Sequence, residues 1–252
     1  MQTLYWMLAG LFLPLFPLSM LFNAIYQRTD NVWLRVLLLL IWPLPGIWLL
    51  DISVGEMPGW LPLWALLSSV LYAFRAVVIR DLGIWSGFMA TSAWSLAWLA
   101  TGSEAPAVTL LMHVVSFSMP LLVLNFLAAE IERRYESVYA GIVSGLGLTV
   151  PRLSGLLVIT ILAVISSPLF PGFFSMLSNI THSLMDNPLA GLGVGIIWLL
   201  WSWSGIRLLQ LFLVGQESRS NHADIGRVAG LGYLTLLILL ITGGLYLSGD
   251  IL

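Results

Sequence analysis

Ser166-Ser-Pro-Leu-Phe-Pro-Gly-Phe173 lies inside an apolar run that extends from 151 to 181. Two prolines and a glycine in so short a stretch cannot continue a regular helix. Each proline lacks a backbone N–H and crowds the preceding turn. A break at membrane depth is tolerated only where neighbouring protein or water takes up the freed carbonyls. Transporters build ion sites at such breaks, whereas a structural kink serves packing alone; the segment by itself fits both.

The composition around it decides the setting. The chain has 252 residues, 59% hydrophobic and 9% charged, with a mean hydropathy of +0.97. A soluble domain carries about 25% charged residues, so disorder, a secreted disulfide scaffold and a basic nucleic-acid binder are all excluded. There is no cysteine, hence no structural disulfide and no thiolate metal site. All ten basic residues are arginine, with no lysine.

A membrane helix needs about 20 apolar residues. Eight runs qualify: 3–26, 32–51, 60–79, 84–101, 106–129, 151–181 (interrupted), 188–213 and 224–248. The predicted fold is an all-α polytopic membrane helix bundle, one transmembrane domain over 1–252 with a connector at 130–151. Charges between the runs alternate by side. Arg28 and Arg35 flank the first connection, Arg75 and Arg80 the third, Arg133, Arg134 and Arg152 the fifth, and Arg207, Arg219 and Arg227 the seventh. The second holds only Asp51 and Glu56, the fourth Glu104, and the sixth His182 and Asp186. Under the positive-inside rule the odd connections are cytoplasmic and both termini lie outside. The first run lacks a basic lead-in and a small-residue cleavage site, so it reads as a span. Trp6, Trp33, Trp60, Trp85 and Trp98 sit near span ends, where interfacial anchoring is expected.

Few polar groups remain to carry a function. His113 lies in Leu-Leu-Met-His-Val-Val-Ser. An ionisable group at that depth is a functional candidate, yet a neutral hydrogen-bonded imidazole is cheap enough to be structural. Arg75 and Arg207 read as snorkelling side chains, and Asp81 follows Arg80 closely enough to offset its charge. Glu130, Glu132, Arg133, Arg134 and Glu136 form a charged turn, either a docking patch or a solvated surface. The weakly amphipathic 139–150 that follows suits a segment lying along the membrane surface, or a plain loop. Gly191-Leu-Gly-Val-Gly195 predicts a close helix–helix contact. There is no Walker-type loop, His-x-x-His pair or nucleophile elbow, and no cofactor is expected.

Taken in order, these features resemble the antiporter-like membrane subunits shared by respiratory complex I, membrane-bound hydrogenases and multisubunit cation/proton antiporters. The family's Lys-Arg-Leu-x-Ala-Tyr-Ser-Ser corresponds to Arg80-Asp-Leu-Gly-Ile-Trp-Ser-Gly87. Its His-x-x-x-His-x-x-x-Lys series, stacked on one helix face, reads His113, Phe117, Leu121. Its broken helix, Gly-x-Pro-x-x-x-Gly-Phe-x-x-Lys/Glu, is matched by Ser166 to Met176 with Pro168, Gly172 and Phe173 kept and Pro171 between them. Its basic residue late in the next helix is matched by Arg207. The correspondence covers 80–213. By the same resemblance, the chain is a truncated relative lacking most of the first of two inverted repeats.

The departures bear on mechanism. The resemblance implies proton movement along buried lysines, histidines and glutamates. Lysine loses its proton when desolvated and arginine does not. Arg80, Phe117, Leu121 and Met176 stand where the family has its titrating groups, so by this resemblance His113 alone of the matched positions can titrate near neutral pH. The expected function is a non-conducting accessory subunit of a larger membrane complex. The complex would be respiratory, hydrogenase, cation-antiporter or energy-coupled inorganic-carbon uptake in type. Its partners would be the lipid bilayer and other membrane subunits, full-length antiporter-like ones included, with no nucleic acid. Catalysis would belong to a partner, and the location would be the bacterial cytoplasmic (inner) membrane. The alternative is a proton or cation channel using His113, Arg80 and the broken helix at Pro168, Pro171 and Gly172.

Overall fold

The computed structural model describes residues 2–53, 57–100, 107–215 and 223–251. The predicted positions Glu56, Glu104 and Arg219 lie outside them. Among the described residues the chain is helical, with isolated bridges and no strand. The helices are α1 (Gln2–Phe12), α2 (Ser19–Arg28), α3 (Val32–Ile41), α4 (Leu44–Asp51), α5 (Leu61–Val78), α6 (Leu82–Ser95) and α7 (Ala97–Ala100). They continue as α8 (Ala107–Tyr135), α9 (Leu146–Thr149), α10 (Pro151–Val164), α11 (Pro171–Asp186), α12 (Pro188–Leu213) and α13 (Arg227–Ile251).

Five helices are long and apolar enough to cross a membrane: α3 with α4, α5, α8, α12 and α13. The other three predicted runs are each divided into shorter helices. The interruption between α10 and α11 falls where the prolines place it. The one between α1 and α2 corrects the continuous 3–26 expectation, because Pro14 and Pro17 in the 13–18 stretch prevent a regular helix there. The fourth run divides at Leu96, which ends α6.

Helix α6 is the axis of the bundle. Every residue from Leu82 to Ser95 except Ile84 is buried, and α2, α5 and α8 pack around it. Its small residues allow this, because helices inside a bilayer associate through close van der Waals packing and hydrogen bonds. A Cβ on Gly87 would lie 2.8 Å from Tyr26 Cδ1. The glycine run on α12 makes the expected close contacts, with Gly191 against Leu184 of α11 and Gly193 against Leu66 of α5.

Two tryptophans depart from interfacial anchoring. Trp33 and Trp60 are exposed, but Trp85 and Trp98 are fully buried. Trp85 Nε1–H donates to Ser204 Oγ (3.2 Å) and Trp98 Nε1–H to Leu13 O (3.0 Å), so each ring finds its partner inside the bundle.

The arginines hold helix ends and loops. Arg207 donates to the carbonyl of Val77 at the end of α5, where a cation complements the helix dipole. Arg75 is exposed and lies 4.8 Å over the Phe88 ring. Asp81 caps α6, its Oδ1 accepting from Ile84 N at 2.8 Å, which gives the carboxylate a local role beside Arg80. The connector after α8 is folded against this end. Ala140 N donates to Arg80 O (2.8 Å), Leu82 N donates to Val138 O (3.2 Å), and Ala140, Val143, Leu146 and Val150 are buried. Only one turn of it, α9, is helical, and Ile142 and Leu148 point outward.

Candidate functional site

Helix α8 turns Leu110, His113, Val114, Phe117, Leu121 and Leu124 inward and leaves Val108, Leu111 and Met112 outside. His113 is therefore buried where α6, α8 and α11 meet. The carbonyl of Ala93 only accepts, so the ring nitrogen beside it, Nε2, carries the proton and donates to it at 2.9 Å. Nδ1 is then the acceptor for the Ser175 hydroxyl at 2.6 Å, with Asn179 Nδ2 at 3.5 Å. The ring lies 4.8 Å from Phe117, and Phe117 lies 5.5 Å from Trp201, whose Nε1–H donates to Ser92 Oγ at 2.9 Å. A neutral imidazole thus has both nitrogens satisfied and an aromatic wall on one side.

The break between α10 and α11 lies beside this group. Ser166 and Leu169 adopt left-handed conformations, φ 59° and 86°. Trp198 Nε1–H donates to Ile165 O at 3.1 Å, and Ser167 donates to Leu162 O from Oγ (2.6 Å) and from N (3.0 Å). Neighbouring protein therefore supplies the donors that the break requires. A Cβ on Gly172 would lie 2.7 Å from Ser166 Oγ and 3.3 Å from Phe117. On the outer side α13 crosses at Gly244, where a Cβ would run into Leu169 O and lie 2.9 Å from Pro171 N. Pro171 and Gly172 are thus buried in a packed break, while Pro168 is exposed on its outer side. Among the described residues, the Ser166 hydroxyl has no hydrogen-bond partner although it is buried.

The other sequence-predicted residues lie elsewhere. Arg80 is exposed at the end of the bundle, with its backbone holding the connector. Glu130 pairs with Arg133 and Arg134, 2.6 Å from each. Arg134 also donates to Ala223 O at 3.0 Å, whereas Glu132, Arg133 and Glu136 are exposed.

Sequence reasoning missed a neutral polar ladder along α6. Tyr26 OH donates to Asn125 Oδ1 (2.9 Å) and pairs with Ser86 Oγ (2.8 Å). Asn23 Nδ2 donates to Thr91 Oγ1 (2.9 Å), Ser19 pairs with Tyr72 (2.7 Å), and Ser69 pairs with Ser92 (3.0 Å). Asn23 and Asn125, each amid apolar residues, were the available signal, since a buried amide demands partners. Among the described residues, His113 is the one buried side chain of the Asp, Glu, His and Arg types, and no cluster fit for a metal ion occurs.

The fold is that of the antiporter-like membrane subunits of respiratory and antiporter complexes. A chain of the membrane-bound sulfane sulfur reductase, an archaeal respiratory membrane complex, superposes with a TM-score of 0.83 at 18% identity, over 96% of this chain and 52% of its own. A chain of respiratory complex I from Thermus thermophilus gives 0.82 at 20% identity, over 94% and 53%. One of the Mrp complex from Dietzia sp. DQ12-45-1b gives 0.80 at 14% identity, over 96% and 55%. The protein spans about half the length of each of these chains. An uncharacterized protein of Aquifex aeolicus (strain VF5) is 22% identical over 242 residues, 93% of this chain and 97% of its own. No protein-family model matches. The structural likeness extends well beyond the 80–213 span of the motif correspondence, so the N-terminal helices belong to the same fold.

Proposed function

We propose that this chain is a non-conducting, antiporter-like accessory subunit, one transmembrane domain that packs against ion-translocating or catalytic subunits of a larger complex. It would sit in the bacterial cytoplasmic membrane with both termini outside. The observation that carries this reading is the state of His113. Among the described residues it is the one buried side chain of the Asp, Glu, His and Arg types; both its ring nitrogens are engaged, and the successive positions beside it are Phe117, Leu121 and Met176, all buried. A relay needs a series of groups that exchange protons, and a single saturated imidazole held by a serine hydroxyl, an amide and a backbone carbonyl does not form one. The fold, shared with chains from respiratory and Mrp complexes, supports membership in such an assembly.

The alternative reading, a proton or cation path through His113, Arg80 and the break at Pro168, is favoured by one observation, the unpartnered hydroxyl of Ser166. The exposed position of Arg80 counts against it. Ion flux through the assembled complex, measured with a pH-sensitive dye in proteoliposomes, separates the two. His113→Ala is expected to leave flux within a few-fold of wild type. A loss of about a hundredfold, the scale of removing an essential proton-transfer group, with assembly intact would overturn the accessory reading. Purification in mild detergent identifies the subunits that accompany it.

A further inference from the structure

Helices α10 and α13 lie side by side and begin at the same end of the bundle, where Asp224 Oδ2 accepts from Arg152 N (2.8 Å) and Oδ1 from Leu153 N (3.1 Å). Between them runs a groove of about 500 Å³, walled by Gly155, Leu156 and Ile159 on one side and Gly230, Leu231 and Leu234 on the other. The two walls repeat one pattern. Arg152-x-x-Gly-Leu-x-x-Ile159 and Arg227-x-x-Gly-Leu-x-x-Leu234 put an arginine in the first turn, then a glycine and two branched aliphatics on the same helical face. A Cβ on Gly155 would meet nothing within 4 Å, and one on Gly230 only Ile225 at 3.7 Å, so the glycines leave the floor of the groove open.

Its mouth is cationic. Arg152 and Arg227 line the groove, both side chains are exposed, and among the described residues neither guanidinium has an ion pair or hydrogen bond. The nearby carboxylate of Asp224 is occupied by the backbone N–H groups of Arg152, Leu153 and Ile225. Two helix N-termini at the same place add to the positive potential.

We infer that this groove holds an anionic phospholipid, its phosphate between Arg152 and Arg227 and the upper part of its acyl chains against Gly155, Leu156, Ile159, Gly230, Leu231 and Leu234. Charge complementarity selects the headgroup, since paired arginines bind phosphate oxygens by oriented donors. The depth suits chains: the seven helical steps from arginine to the last aliphatic rise about 10 Å along each helix. Basic pockets between membrane helices serve anionic lipid in this way.

The test is native mass spectrometry of the purified full-length chain with phosphatidylglycerol, phosphatidylcholine of the same chains, or inorganic phosphate. Wild type is expected to retain phosphatidylglycerol in preference to phosphatidylcholine. R152Q/R227Q should bind it roughly thirtyfold more weakly, the effect of removing two surface cations. Gly155→Leu with Gly230→Leu keeps the charges, fills the groove and should also abolish retention. Tryptophan fluorescence on heating, with an unchanged melting temperature in phosphatidylcholine, shows that the variants are folded. Equal phosphatidylglycerol retention by folded R152Q/R227Q overturns the inference. So does competition by inorganic phosphate as strong as that by the lipid, because the chains would then contribute nothing.

Discussion

Ser166 combines two unfavourable features at one position. Its φ of 59° is left-handed, and its buried hydroxyl has no partner among the described residues. The first costs a non-glycine residue about 1–2 kcal/mol, and the second about 1–3 kcal/mol. Glycine gives back about 1 kcal/mol through its greater freedom in the unfolded chain. Ser166→Gly is therefore expected to stabilise the protein by about 1–4 kcal/mol, a rise of several degrees in melting temperature followed by tryptophan fluorescence. An unchanged or lower melting temperature would mean that the hydroxyl is satisfied within the bundle. His113 shows how far residue identity carries. Its place in an apolar run marks it as unusual, but its neutrality follows from two atoms remote in the chain, Ala93 O and Ser175 Oγ. Neither is recognisable as a histidine partner from its own neighbours in sequence.

The prolines explain where the helices stop, while the neighbouring helices explain why the stops are tolerated. Between α10 and α11 the freed carbonyls of Leu162 and Ile165 receive donors from Ser167 and Trp198, and Gly244 lets α13 pass against Leu169. Backbone atoms cannot move aside as a side-chain tip can, and overpacking costs about 1–3 kcal/mol. Gly244→Val is expected to lower the melting temperature by several degrees and to loosen α13. Gly195→Val on α12 is the control, since a Cβ there meets nothing within 4 Å and the melting temperature should hold or rise slightly. The first interruption, between α1 and α2, was equally written in Pro14 and Pro17, but a hydropathy window averages across such a pair and reads one span.

At the scale of the molecule, the charged segment expected as a turn is the last turns of α8 up to Tyr135, with Glu136 just beyond, and it divides into an inward and an outward half. Glu130 pairs with Arg133 and Arg134, and Arg134 also holds the Ala223 carbonyl, so these groups serve the fold, whereas Glu132 and Glu136 are exposed and make no ion pair among the described residues. Reversing Glu132 and Glu136 together is expected to reduce recovery of the assembled complex in a pull-down while leaving the isolated chain's melting temperature unchanged. Loss of stability without loss of assembly would remove this turn from the docking surface. Some properties of the protein follow from its order of residues alone. Hydropathy, the arginine distribution and the proline clusters depend on transfer and backbone energies that act locally, and they suffice for a polytopic helical bundle with a broken sixth run. The apolar character of Phe117, Leu121 and Met176 is likewise legible residue by residue. The tertiary structure alone decided which faces meet. It took Trp85 and Trp98 from the interface into the core, joined Tyr26, Ser86 and Asn125, and set Arg152 beside Arg227. Such pairings join residues that are distant in sequence, and they are selected by close packing and by the need of every buried polar group for a partner.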